Sequence, residues 1–425
     1  MNILLSMKII GLFGRDKPIE IKFDEKFNFF IGQNGTGKTT IINLLAATLL
    51  ADFGKLDKTP FQRVEVKLKE IGGRKKPSII VEKTPKTGLP FFDISYLVKL
   101  SAQEEYKYDL DAYEEEAALR GVPTRLLHER WASKRSLDIR ERLASVVNTR
   151  WLSVQRSNED LRRPDEKKYA SSVDQKLFDL NNELVRFFSK ASKLYAEHTA
   201  DFQKSSFLAL LDNKGEGELF RFIENLNIKE QKSALEKIFA TLGVQPKHYA
   251  NLLNSHASSL TEGKLRTEGS GVSIKVLGAM FNAWRANSLI EDYKKLEAKR
   301  DEIFRLRNNF IKLLNSMFMP RKSVEINARN ELLFTTQNGS PIEPQALSSG
   351  EKQLLIILGE ALILECQPVV YIADEPELSL HVSWQEQLTS AINFLNPAAQ
   401  IVFATHSPDI VNTHSDKIID MEVLY

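Results

Sequence analysis

Apolar residues recur along this chain in three rhythms, and each predicts a different element. Continuous apolar runs at Phe27–Ile31, Pro368–Ala373 and Gln400–Thr405 read as strands buried on both faces. Helical patterns alternate with these runs, so a parallel sheet covered on both sides is expected. Strict alternation marks Arg63–Leu68, where Val64, Val66 and Leu68 face Arg63, Glu65 and Lys67. Ser78–Glu82 and Phe91–Leu97 are further short strands. Met7–Leu12 and Ile19–Phe23 are strands joined by a turn at Arg15-Asp16-Lys17-Pro18, and Ser323–Asn327 with Glu331–Thr336 reads as a hairpin. Together these predict an antiparallel β addition beside the parallel core. Val146–Val154 is also strand-like and ends at Gln155-Arg156.

The third rhythm is helical. Ile41, Leu45 and Leu49 mark one helix. Asp174–Tyr195 carries Leu177, Leu180, Leu184, Phe187, Ala191 and Leu194 in a 3-4 repeat, and Leu289, Leu296, Ile303, Phe310 and Met317 recur every seven residues. Two such stripes can pair as an antiparallel coiled arm. Other core packing gives similar stripes, and Arg300 and Arg307 stand where a second apolar row would sit. Pro320 stops the second long helix. Shorter helical runs and a segment rich in Gly, Ser and charge, Thr261–Gly271, lie between the two; that segment is expected to be flexible. The expected organisation is an N-terminal lobe over 1–157, a helical insertion over 158–319 and a C-terminal lobe over 320–425.

The stretch between the first buried strand and its helix carries the strongest chemistry. It reads Gly32-Gln33-Asn34-Gly35-Thr36-Gly37-Lys38-Thr39-Thr40. Strand, Gly-rich turn, helix is the context of a phosphate-binding loop. Gly32, Gly35 and Gly37 permit the dihedrals and the close backbone approach that a side chain would block. The loop N–H groups and the positive end of the helix then face phosphate oxygens. Lys38 is placed to reach the β- and γ-phosphates, and Thr39 to give a hydroxyl to Mg²⁺. A second apolar strand ends in Asp374-Glu375-Pro376. Asp374 is the candidate for holding the Mg²⁺ water shell and Glu375 for polarising the attacking water. Leu347-Ser348-Ser349-Gly350-Glu351-Lys352-Gln353 opens a helix, and Ala404-Thr405-His406-Ser407-Pro408-Asp409 follows the last buried strand.

Phosphate loop, L-S-x-G-E/Q signature, strand-Asp-Glu and strand-end histidine, in this order, resemble the ABC-class ATPases. With its helical insertion the chain looks like the RecF, SMC and OLD branch of that class. The resemblance implies a two-lobed α/β head with an inserted coiled-coil arm, ATP and Mg²⁺ as cofactors, and a homodimer with ATP between its heads. It also implies that Ser348 and Gly350 touch the γ-phosphate of the opposite protomer's ATP, while His406 contacts the γ-phosphate in cis. Glu377–His381 then couples the two sites, and Gln155 is the candidate glutamine that senses Mg²⁺ and water. Ser349 stands where transporters have glycine. Gly11-Leu12-Phe13-Gly14, Glu377-Leu378-Ser379-Leu380-His381 and Ser383-Trp384-Gln385 are similar to ATPases of prokaryotic phage-defence systems of the PARIS and Septu kinds. That likeness implies a scaffold holding a separate effector nuclease. The competing expectation is a RecF-like ATPase that binds DNA. A higher homo-oligomer, DNA or a phage protein stay open as further partners.

Composition changes this picture little. Of 425 residues 42% are hydrophobic and 27% charged, and the net charge is +2, so no global field argues for nucleic acid or membrane. Locally, Glu104–Glu116 holds seven carboxylates against Lys107, and Arg120–Lys168 holds 13 Lys/Arg against 7 Asp/Glu. A basic surface there competes with an ordinary solvated face. The single cysteine, Cys366, suits a reducing cytoplasm. Met1-Asn2-Ile3-Leu4-Leu5 lacks a basic region and a cleavage site, so no secretory signal is expected, and the first strand is expected from Met7. Leu354–Leu364 is too short to span a bilayer. The chain runs only to Tyr425 after His406, and no H-N-H cluster, zinc spacing or Ser/His/Asp set is seen, so nucleic-acid cleavage is expected to need another chain.

Overall fold

The structure, a computed structural model, describes residues 1–85, 92–101, 103–109, 138–152, 172–209, 219–266, 273–412 and 414–424. They form two compact units, Met1–Val185 with Asn309–Tyr425, and Arg186–Asn308. Gln155 and most of the basic stretch lie outside the described residues.

The first unit holds a mixed α/β fold built on a wholly parallel five-stranded sheet. Its order is β14 (Ile418–Asp420), β3 (Phe27–Ile31), β13 (Ala399–Ala404), β12 (Val369–Asp374), β8 (Thr149–Trp151). Strands β12 and β13 are apolar throughout because both faces are covered. The antiparallel sheet has six strands in the order β2 (Ile19–Lys22), β1 (Asn2–Ile10), β4 (Arg63–Glu70), β5 (Ser78–Pro85), β6 (Phe92–Lys99), β7 (Glu105–Asp109). Buried Gln400 of β13 ties the two sheets together. Its Oε1 accepts from Leu4 N (2.7 Å), and its Nε2 donates to Leu4 O (2.9 Å) and Asp24 O (2.7 Å). Helix α1 (Lys38–Leu50) touches β12, β13 and β8 of one sheet and β5 of the other. That is why it is apolar nearly all round. A third sheet joins β11 (Pro341–Ile342), β10 (Leu332–Thr336) and β9 (Lys322–Ile326).

Three expectations need correcting. Strand β1 begins at Asn2, not Met7, and pairs back to Glu70. A bulge between Leu4 and Ser6 breaks the alternation, which hid the strand in the sequence. Residues 138–146 are helical, so Val146 closes a helix: Ile139, Leu143 and Val146 share one buried face at helical spacing. Residues 261–266 belong to the helix Pro246–Arg266, contrary to the flexible segment expected from Thr261.

The second unit contains most of two long helices, α3 (Ser172–Ala209) and α7 (Ile274–Phe318), and the short α4 (Leu219–Asn225), α5 (Ile228–Thr241) and α6 (Pro246–Arg266). Tyr195 meets Phe304 (5.6 Å between centroids) and Phe202 meets Tyr293 (6.0 Å), so α3 and α7 run antiparallel. Arg307 fits the seam by lying over the Phe304 ring, 3.9 Å from its centroid. Leu219, Ile223, Leu260, Met280 and Ala283 form a separate small core. No helix among the described residues is long and apolar enough to cross a membrane.

Candidate functional site

Strand register assembles the site. Asp374, Ala404 and Phe30 stand level on adjacent parallel strands. The segments that follow them therefore leave the sheet at one edge: Glu375-Pro376, Thr405-His406 and the phosphate loop. The carboxyl edge of a parallel sheet is where ligands of open α/β folds bind. Two backbone bonds extend the pairing beyond the strands, Thr405 N to Phe30 O (3.2 Å) and Glu375 N to Ala404 O (2.8 Å).

The phosphate loop runs from Gly32 to Gly37, with Lys38-Thr39-Thr40 opening α1. A β-carbon at Gly32 would come within 2.9 Å of both Met421 Cβ and Thr36 Oγ1. Gly35 and Gly37 have φ of 86° and 85°, a conformation that other residues rarely take. Thr36 Oγ1 donates to Gln33 O (2.8 Å) across the turn. Gln33 and Asn34 are exposed, and Thr40 is half-buried. The Lys38 ammonium is buried against its own loop, donating to Gly32 O (2.6 Å) and Gln33 O (2.9 Å). Burial lowers its pKa, while the nearby charges of Glu375 and Asp374 work the other way.

Thr39 Oγ1 donates to Asp374 Oδ1 (3.2 Å). Burial lifts the Asp374 carboxyl above the ordinary range, Thr39 pulls it back, and the charges of Glu375 and Glu377 add to the rise. Thr39 and Asp374 suit Mg²⁺: both are hard oxygen donors, and the charges of Glu375 and Glu377 acting on Asp374 favour a cation beside it. Glu375 sits at φ 49°, a left-handed backbone that stores roughly 1–3 kcal/mol of strain at a non-glycine residue. His406 Nε2 lies 3.9 Å from Glu375 Oε1.

The signature residues are built differently. Ser348 caps α8 (Ser349–Ile363) in a full capping box: its Oγ accepts from Glu351 N (3.3 Å), and Ser348 N donates to Glu351 Oε2 (2.7 Å). Lys322 Nζ donates to the same Oε2 (2.7 Å). Burial raises the Glu351 pKa, but the Lys322 and Ser348 bonds outweigh it and the net shift is downward. Gly350 has no room for a side chain, because a β-carbon would overlap the Ser379 carbonyl oxygen. Gln353 Nε2 donates to Pro376 O (2.6 Å). Thus Lys38, Thr39, Asp374, Glu375 and His406 share the strand edge, while the helix that Ser348 caps meets the loop after Glu375 at Pro376 and Ser379. Sequence reasoning named Glu377 and Gln353 only as parts of longer motifs, and passed over Lys322. The third acid so soon after Asp374 is the one signal that pointed to any of them.

A family model described as an AAA ATPase domain matches residues 13–411. The glutathione import ATP-binding protein GsiA is 35% identical over 80 residues, both in Escherichia coli K12 and in Salmonella paratyphi A. Those residues are 18% of this chain, and the chain spans only 12% of that relative. Among solved structures, the Smc head domain with an extended coiled coil from Pyrococcus furiosus gives a TM-score of 0.44 at 15% identity, covering 99% of this chain and 93% of that one. The SMC head domain from Thermotoga maritima gives 0.39 at 12% identity, covering 98% and 94%. A phosphate loop seated on a parallel sheet, an acidic strand end level with it one strand away and a family match along nearly the whole chain lead to one conclusion: the chain belongs to the AAA ATPase domain family and is an ATPase.

Proposed function

We propose that the chain hydrolyses ATP with Mg²⁺ at a composite site made by two copies of itself. The observation that carries this is the convergence of Lys38, Thr39, Asp374, Glu375 and His406 at one strand edge while Ser348 stands exposed on a separate helix end. The loop N–H groups from Gly32 to Thr40 cradle the phosphates, and Lys38 leaves its two carbonyls for the β- and γ-phosphates. Thr39 and Asp374 hold Mg²⁺, which supplies charge neutralisation at the phosphates. Glu375 takes the proton of the attacking water, and His406 stabilises charge on the γ-phosphate. Ser348 and Gly350 cap the partner's ATP. Lys38 and Ser348 thus act in different copies.

The finer reading is that the ATP-bound dimer is a cytoplasmic scaffold that holds a separate effector nuclease and releases it in anti-phage defence. The likeness of Gly11–Gly14 and Glu377–His381 to defence ATPases supports it. One experiment tests both levels. E375Q should retain ATP without turning it over, elute at twice the monomer mass and keep a co-expressed effector bound. Wild-type hydrolysis by E375Q would remove Glu375 as the base. A monomeric, ATP-loaded E375Q would remove the composite site, and a dimer that never holds a nuclease would remove the scaffold.

A further inference from the structure

His406 is aimed by its neighbours, not by its own ring. Among the described residues the imidazole meets only Glu375, at 3.9 Å. The residues on either side of it are anchored. Thr405 Oγ1 donates to Glu377 Oε1 (2.6 Å), and so do His406 N (3.0 Å) and Ser407 N (3.3 Å). Ser407 Oγ donates to Gln385 Oε1 (2.7 Å), and Gln385 Nε2 donates to Leu380 O (3.0 Å). One carboxylate oxygen thus gathers three donors from three consecutive residues. Its twin, Glu377 Oε2, is buried with no hydrogen-bond partner. Glu377 is 9% exposed, and these three bonds are its carboxylate's hydrogen bonds among the described residues. A buried carboxylate is kept only where its donors repay desolvation.

We propose that Glu377 is a positioning residue for hydrolysis: it fixes the turn at Thr405–Ser407 so that the His406 imidazole faces Glu375 and the γ-phosphate. The proposal rests on the role given to His406 above. Glu377 belongs to the segment that also gives Pro376 O to Gln353 and Ser379 O to the face of Gly350. The same short loop therefore grips the signature helix at one side and the histidine turn at the other. A shift of the signature end is relayed to the imidazole through one carboxylate.

A kinetic double-mutant cycle tests this. E377A should lower kcat roughly ten- to a hundred-fold, the range expected when a reacting group is displaced by about an ångström, with KM for ATP within about two-fold of wild type. The double variant E377A/H406A should turn over no more slowly than H406A alone, because the carboxylate acts only through that ring. E377Q keeps the accepting oxygen without its charge and should lose roughly three- to ten-fold. T405V, which removes one donor at constant shape, should lose less, again in kcat only. Thermal melting of each variant confirms folding, and E377Q with T405V carries the cycle if E377A does not fold. Losses from E377A and H406A that multiply, or an E377A that turns over like wild type while H406A is inactive, would overturn the proposal alone. Wild-type turnover by H406A would overturn the role of His406 and this proposal with it.

Discussion

At the scale of single residues, the site depends on acids drawn away from water: Glu377 is 9% exposed and Asp374 is half-buried. The phosphate loop was legible because glycines at fixed spacing, followed by Lys-Thr, have few other uses between a strand and a helix. Glu377 was not, since an acid in a loop is ordinarily solvated, and only the fold shows three donors meeting on it. Lys83 is a similar case. A lysine is ordinarily solvated, yet this one is buried on the face of β5 that carries Ile79 and Val81, gives its ammonium to the carbonyls of Leu56, Asp57 and Thr59, and lies over the Phe92 ring. It closes the end of helix α2 (Phe53–Lys58). Asp374 yields a prediction at this scale. Its carboxyl is raised above the ordinary value, chiefly by burial. A carboxyl raised in the folded state weakens that state above its folded pKa, and the penalty fades as pH falls through it. D374N keeps an oxygen for Thr39 and removes the charge. Without nucleotide or metal it should melt roughly 1–3 °C higher at neutral pH, a modest gain because solvent screens a half-exposed group. The two melting points should converge in acid. A difference of the same size at every pH would refute the assignment.

At the scale of elements, apolar runs found the strands with two buried faces and alternation found most of those with one. Strand β7 escaped because Tyr106 and Tyr108 alternate with charged residues inside an acidic stretch, as suits an edge strand. Strand β14 escaped because three residues carry no period. The signature helix α8 was predicted, but not its bracing. Asp174 pairs with Lys352 at 2.7 Å, the two side chains 11% and 14% exposed, and Lys176 pairs with Glu360 at 3.2 Å. Leu180 packs so near Gly359 that a β-carbon there would meet it at 2.8 Å. The first turns of α3 thus lie along α8. Removing one member of a partly buried pair strands the other charge, so D174A should destabilise the first unit by about 2 kcal/mol in urea melts. Replacing both with apolar residues of similar size, D174L/K352M, should recover most of that loss. Equal stability of D174A and wild type would mean that the pair is in effect solvated.

For the whole molecule, the alternation of strand and helix announced an α/β head, while strand order could not be read, since it depends on which edges meet after long chain excursions. The insertion was legible as helical. Its compact unit runs from Arg186 to Asn308. Replacing that segment by a short Gly/Ser linker should leave a folded head that still binds ATP, as measured by calorimetry. Loss of binding would show that the two units do not fold independently. The seat of Gly32 has a further implication. Its wall is Met421, whose N–H is bonded to Ile31 O (2.8 Å) just beyond the β14–β3 pairing. Translation delivers Lys38 hundreds of residues before Met421. A ribosome-bound nascent chain would already display the complete Gly-rich motif, yet it could not close the nucleotide cradle until Met421, hundreds of residues later, had emerged as well.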